Sequence, residues 1–278
     1  MPDKTDDCLA GRYGAYAGFR TEAGPVAIEY YGEDPAHEIK RLLNIYVQPN
    51  SRVLDLGCGA GQTICAIAPK AAEVWGIDLA ADLLDGARER VQRQGLTNVT
   101  LVEGNTAVPE DVAQLPDDYF DIIFTERGPD MTHLLIGKLK KGGYFLQELV
   151  GNYDGFHLQE ILGRRPYTVF AYTGIDNHLS QAAEIGLLPV SVKDYFYEEF
   201  YRDLDHLEAY LMQVQAMLSN WRLEPRPYNP ERDRPALELY ARYNTTPKGI
   251  RLLGHRRIFV WRHTPVHYYP VDNQVVSV

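Results

Sequence analysis

The sequence predicts an α/β fold, a parallel sheet covered by helices on each side. Three observations carry this reading. Short runs that are apolar on both faces alternate with helix-length segments between Arg52 and Leu149. Glycines mark several of the turns that join them. A chain of 278 residues, 45% of them hydrophobic, is also long enough to bury one sizeable core.

Residues 1–35 are rich in glycine and tyrosine with weak periodicity, and are expected to form a loose arm or lid. Asp34-Pro35 then opens a predicted helix, since aspartate caps free amides and proline suits a first turn. Ile39, Leu42, Leu43 and Tyr46 keep its apolar face, and it ends before Pro49. From there the pattern predicts a strand at 52–56, a helix at 62–68, a strand at 73–77 and a helix at 80–94 stopped by Gly95. A strand at 99–102, a loop with a helical turn and a strand at 120–124 follow. A helix expected at 131–139 precedes Gly142-Gly143 and a strand at 144–149.

After Gly151 the rhythm changes, with a helix expected at 177–184, a strand at 189–196 and a last strand at 257–262. Between those strands Leu204, Leu207, Leu211, Val214, Leu218 and Trp221 recur at spacings of three and four, one face of a helix of about five turns. A proline-rich stretch, 225–235, is expected to separate it from a second helix at 236–243. Segment 203–244 reads either as a helical cap inserted between the last two strands or as an ordinary core-packing pair. The expected organisation is an arm at 1–35, a main domain at 36–262 carrying the insertion, and a tail at 263–278.

Acidic side chains outnumber basic ones 38 to 28, a formal net charge of −10. Phosphate backbones repel such a chain at long range, and Arg164-Arg165 and His255-Arg256-Arg257 are too sparse to form a basic patch, so no nucleic-acid partner is expected. The polar start Met1-Pro2-Asp3-Lys4 lacks the apolar core of a signal peptide, and no run reaches the roughly 18 apolar residues that span a bilayer. A cytoplasmic location without membrane partners is the expectation. Cys8, Cys58 and Cys65 form no CxxC pair, which supports neither a disulfide framework nor a zinc site, and no metal is expected. The 19 tyrosines cluster before position 32 and between Tyr195 and Tyr201, where they line a pocket or fill a core edge.

The most informative run is Val53-Leu54-Asp55-Leu56-Gly57-Cys58-Gly59-Ala60-Gly61, an apolar strand with an acidic residue near its end and a glycine-rich turn into a helix. Glycines let backbone pass close to a ligand, and open α/β sheets bind ligands at the carboxyl ends of their strands. A dinucleotide fingerprint would need a third glycine at position 62, where Gln62 stands. Asp55 would also repel a pyrophosphate. It attracts S-adenosylmethionine, which has no phosphate and carries an ammonium and a sulfonium. Asp78 closes the next strand 23 residues later, at a distance where an acidic side chain reaches ribose hydroxyls or caps the helix that begins near Leu79. In Glu103-Gly104-Asn105-Thr106 the Asn105 amide oxygen is placed to accept from an adenine amino group, or serves the turn.

In this order and spacing, these runs, with Phe120-Asp121-Ile122-Ile123-Phe124 and Leu139-Lys140-Lys141-Gly142-Gly143, resemble the class I S-adenosylmethionine-dependent methyltransferases over roughly Asp34 to Val150. The resemblance implies a Rossmann-like, doubly wound sheet of seven strands with the last antiparallel, the glycine loop against the methionine end, Asp78 on the ribose and Asn105 near adenine. The sequence departs from the family at Asn105, where aspartate is more usual. Phe124-Thr125-Glu126-Arg127-Gly128-Pro129 and Thr246-Pro247-Lys248-Gly249-Ile250-Arg251 are similar to uncharacterised small bacterial methyltransferases.

Methyl transfer from a sulfonium needs positioning more than covalent help, and a base only where the acceptor is protonated. Glu126 and Arg127, after the fourth predicted strand, are the first candidates, Glu126 to take a proton or orient a donor on the acceptor and Arg127 to hold an acceptor carboxylate. They are equally able to pair with each other or with a neighbouring loop. His133 is a further candidate base. Tyr30, with Tyr13, Tyr16 and Tyr31, belongs either to a lid that closes over the cofactor, where rings gain from facing a sulfonium, or to a disordered tail. The expected cofactor set is Asp55, Gly57, Cys58, Gly59, Gly61, Gln62, Asp78, Leu79, Asn105, Thr106, Glu126 and Tyr30. The expected partner is a small-molecule methyl acceptor.

Overall fold

A computed structural model describes residues 26–163, 178–213 and 228–264. The alternating segments fold as β2 (Arg52–Leu56), α2 (Gln62–Ile67), β3 (Glu73–Asp78), α3 (Ala81–Arg93), β4 (Val99–Glu103), a turn of helix α4 (Pro109–Val112) and β5 (Phe120–Glu126). Ahead of them stand β1 (Ala27–Tyr30) and α1 (Pro35–Tyr46). Asp34 caps α1 by accepting from the Ala36 amide at 2.9 Å, with Pro35 in the first turn. After β5 come α5 (His133–Ile136), β6 (Leu139–Val150), α6 (Phe156–Ile161) and a helix over 178–184, here α7. β7 (Leu187–Tyr201), α8 (Leu204–Gln213), α9 (Pro230–Asn244), β8 (Thr245–Thr246) and β9 (Gly249–His263) complete the order.

The sheet runs β1-β7-β9-β6-β5-β2-β3-β4, with β8 on β9. Strands β4, β3, β2, β5 and β6 are parallel, and β9, β7 and β1 are antiparallel to their neighbours. One face is covered by α1 through Ile39, Leu42 and Leu43, packed with Val53, Ile64, Ile122 and Leu146. The opposite face buries Leu54, Leu56, Ile123, Phe145 and Trp261 against Leu135 and Ala182. Side chains alternate between these faces along each strand, and both fillings are apolar, as the continuous apolar runs require.

Several expectations are corrected. Among the described residues the sheet has nine strands where seven were expected. β7 and β9 are 15 residues each, longer than the predicted spans, and their far ends carry β1 and β8. Alternation there mixes charges and tyrosines with apolar residues, which hid the extension. The opening segment holds a strand: β1 pairs Ala27–Tyr30 with Tyr197–Phe200, while residues 1–25 lie outside the described residues. The helix expected at 131–139 is a single turn, because Leu139 already pairs with Phe120 at the start of β6. Gly142 and Gly143 sit inside β6 at the irregularity between Phe120 and Ile122. Pro230 and Pro235 were expected in a spacer but belong to α9, where Asn229 caps and Pro230 takes the first turn.

The five-turn helix expected from Leu204 is seen as α8 over Leu204–Gln213; Val214, Leu218 and Trp221 lie outside the described residues, as does Asn177. Helices α8 and α9 lie between β7 and β9 in the chain and share a third cluster of Leu207, Leu211, Leu237 and Tyr240 with Tyr201 and Ile250. Among the described residues no helix is long and apolar enough to cross a membrane, and no group of three or more side chains is placed to hold a metal ion. Cys58 and Cys65 are buried free thiols, and burial pushes the Cys58 thiol above its ordinary range.

Candidate active site

The glycine turn bends through three left-handed positions, Gly57, Gly59 and Gly61, with φ of 75°, 52° and 75°. Each glycine serves a different need. A Cβ on Gly61 would lie 2.9 Å from the Ala87 Cβ, so the third glycine lets α3 pack on the turn. Arg90 of α3 is buried and donates to the Ala60 carbonyl at 3.2 Å, which fastens the same contact. A Cβ on Gly57 would meet Pro129 at 3.0 Å, while Gly59 has nothing within 4 Å and faces open space. That is the position where a ligand can approach backbone most closely.

Asp78 holds the turn from the neighbouring strand. Its Oδ2 accepts from the Gly59 amide at 2.8 Å and its Oδ1 from the Ala80 amide at 2.9 Å, so one carboxylate braces the glycine turn and the start of α3. Each oxygen keeps a lone pair for a ligand hydroxyl.

Four carboxylates share one face of the sheet at the carboxyl ends of adjacent strands. Register pairs Asp55 with Gly76 and Phe124, and Glu126 with Glu148, so alternation places Asp78, Asp55, Glu126 and Glu148 on the α1 side. Asp55 is 4% exposed, and no hydrogen bond from the described residues reaches its carboxylate. Burial first, then the charges of Glu126 and Asp78, push its pKa well above the ordinary 3.8. Glu126 Oε1 accepts from Thr63 Oγ1 at 2.5 Å, which brings the end of β5 over the first turn of α2.

Glu126 and Arg127 do not pair with each other. Arg127 adopts a left-handed φ of 59°, its amide donates to the Glu148 carbonyl at 3.0 Å, and its guanidinium stands 3.9 Å from the Glu148 carboxylate. Gly128 follows because nothing larger fits: a Cβ there would lie 2.5 Å from both the Leu56 carbonyl and Thr125 Oγ1. Pro129 then lies against Gly57. Thr125-Glu126-Arg127-Gly128-Pro129 is thus a loop folded onto the glycine turn.

Beyond Glu126 the row continues into residues that sequence reasoning missed. Glu148 is buried, and desolvation raises its pKa despite two flanking arginines. Arg256 stands 3.7 Å from it, donates to Asp154 at 2.7 Å and lies over the Tyr197 ring at 5.3 Å. Asp154 also accepts from the His255 amide at 2.9 Å. The strand-end rule that singled out Asp78 and Glu126 extends to Glu148. The Arg256–Asp154 pair spans about a hundred residues, and no local pattern announces it.

The remaining expected residues are scattered. Cys58 is buried, Gln62 and Leu79 are exposed and Thr106 is buried. Asn105 is exposed, and its side-chain oxygen accepts from the Ala107 amide at 2.9 Å. Tyr30 sits at the sheet edge with its ring 5.7 Å from that of Tyr197; Tyr13 and Tyr16 lie outside the described residues. His133 is exposed and lines a groove on the opposite face with Gln147 and His178, so the structure does not bring it to Glu126.

Residues 48–160 match a family model described as a methyltransferase domain. Over 102 residues the chain is 30% identical to a protein-L-isoaspartate O-methyltransferase of Methanoculleus marisnigri, covering 36% of this chain and 44% of that protein. It is 40% identical over 70 residues to the 23S rRNA (uracil(1939)-C(5))-methyltransferase RlmD of Pectobacterium carotovorum, covering 25% and 15%. The chain thus spans less than half the length of these relatives. It is 38% identical over 72 residues to the uncharacterised methyltransferase YcgJ of Bacillus subtilis, covering 26% and 27%. The crystal structure of YcgJ matches with a TM-score of 0.55 at 17% identity, covering 83% of this chain and 100% of that one, a likeness of fold. Over residues 48–160, therefore, this chain resembles a methyltransferase domain, and it shares the Rossmann-like fold of YcgJ.

Proposed function

We propose that this chain transfers a methyl group from S-adenosylmethionine to a small-molecule acceptor. The observation that carries the reading is Asp55, a buried carboxylate with no hydrogen bond from the described residues and two like charges beside it. A ligand cation at this point relieves the repulsion, and a pyrophosphate would increase it. When bound, the cofactor supplies a methyl group on a leaving group that departs neutral.

The chain's own residues then divide the work. Asp55 and Glu126 face the positive charges, Gly59 admits the ligand to the backbone, and Asp78 offers its free lone pairs to the ribose. Leu79, Asn105 and Thr106 border the adenine side, with the Asn105 oxygen shared with the turn. Arg127 and Glu148 border the acceptor, where a guanidinium orients an acid and a carboxylate of raised pKa takes a proton. The arm at 1–35 and the insertion at 203–244 are proposed to roof this space.

A small acceptor is supported by the net charge of −10 and by the row of carboxylates, both unfavourable to a phosphate backbone. The relatives named for protein and ribosomal RNA substrates match over 102 and 70 residues only. Incubation with radiolabelled S-adenosylmethionine and separate pools of metabolites, RNA and protein tests the acceptor class. Label is expected in the metabolite pool. Label retained on a macromolecule would overturn that class, and binding without transfer to any pool would point to a cofactor-sensing module.

A further inference from the structure

We infer that the groove between α5 and α7 binds a small organic ammonium ion, at a site separate from the glycine turn. The groove encloses about 320 Å³ and lies on the sheet face opposite Asp55, with Phe145 and Trp261 among its lining residues. That is near the lower end of cavity sizes that hold small ligands.

The donors around Gln147 fix where the protons of this cluster sit. Trp261 Nε1 can only donate, and it reaches Gln147 Oε1 at 3.0 Å in a fully buried setting. This fixes the Gln147 amide, whose nitrogen donates to Asp130 Oδ1 at 2.6 Å. The same Oε1 stands 3.0 Å from His178 Nε2, so that nitrogen carries a proton and donates. A neutral His178 ring then turns a bare Nδ1 toward Asp130 Oδ2, 3.6 Å away. Burial, with the charge of Arg257, favours the neutral ring over the attraction of Asp130.

Two acceptors facing each other at that distance make no hydrogen bond. They ask for a donor that reaches both. The charges point to the kind of donor: Asp130 and Glu184 line the groove, and among the described residues no lysine or arginine does. Its apolar walls combine Phe145 and Trp261 with Met131, Ile185 and Leu187, and His178 itself packs at 5.0 Å on Phe259 and 5.5 Å on Trp261. A primary ammonium brings three N–H donors and a positive charge, and an attached ring suits the apolar walls.

Calorimetry on the full chain with phenethylammonium, 2-phenylethanol and phenylacetate separates the alternatives, since the three share a shape and differ in charge. The ammonium is expected to bind saturably, the alcohol about tenfold more weakly and the acid not measurably. Asp130→Asn keeps the oxygen that accepts from Gln147 and places its own N–H toward His178, so it should abolish ammonium binding while the melting temperature stays near that of the parent. Glu184→Gln should weaken binding a few-fold. Equal binding of alcohol and ammonium would overturn the inference and point to a water-filled groove. Undiminished binding to Asp130→Asn, or no binding of any probe, would overturn it too, as would nitrogen resonances placing the His178 proton on Nδ1.

Discussion

The two halves of the sheet solve the same packing problem by different means. In β2 to β5 the strands are five to seven residues long, parallel, and end at the candidate site. In β7 and β9 two strands of 15 residues run antiparallel well past the end of β6, and their ends bear β1, β8 and the helices α8 and α9. The first half holds its charges near a ligand space, with Asp55 uncompensated by the protein. The second half pairs its charges internally: Arg256 with Asp154, and Arg257 with Asp194 at 2.6 Å. The difference teaches that an unpaired buried carboxylate marks the end of the sheet where the proposed site lies, and that paired charges mark the other half.

Substitutions that exchange these roles test the contrast. The largest effect is expected from Asp154→Ala, which takes from the buried Arg256 guanidinium its carboxylate partner at 2.7 Å and leaves the Glu148 carboxylate at 3.7 Å. Removing one partner of a buried pair costs about 3–5 kcal/mol, read as a lower denaturant midpoint. Gly128→Ala should rank next. Its Cβ meets backbone at 2.5 Å, so the loop must leave the glycine turn, costing roughly 2–3 kcal/mol and most of the cofactor affinity in calorimetry. Asp78→Ala removes the acceptor of two amides and is expected to weaken cofactor binding by about tenfold or more. Asn105→Ala should change that affinity least, within about threefold, since its oxygen already serves the Ala107 amide. A large loss in this last variant would show the adenine contact to be stronger than the turn suggests.

How much was legible follows the same division. Asp55, Asp78 and the three glycines were readable because a strand end, a turn and a helix start are neighbours in sequence, so spacing reports geometry. Thr63, a near neighbour of the turn, escaped notice because its role depends on Glu126, 63 residues away. The lengths of β7 and β9 were not readable either. Residues such as Tyr197, Glu199 and Arg256 are polar or aromatic, and only their partners on other strands reveal them as buried. His133 looked like a base from its place after the fourth predicted strand, but the short turn of α5 leaves it exposed at the groove on the other face.

Asp55 also sets a pH dependence whose sign is fixed. Its folded pKa lies above the ordinary 3.8, so the free protein is most stable where the group is protonated, and loses that contribution as pH rises from about 4 through the raised value. Asp55→Asn should therefore stabilise the free protein at neutral pH while it weakens the cofactor.

The most direct measurement is calorimetric titration of S-adenosylmethionine into the parent chain and into Asp55→Asn across pH, in buffers of different ionisation enthalpy. The parent should bind more tightly as pH rises and release a proton on binding at the lower end of the range, and the variant should lose roughly a hundredfold, about 3 kcal/mol, along with the released proton. Equal affinity in both proteins, with no proton linkage, would contradict the account.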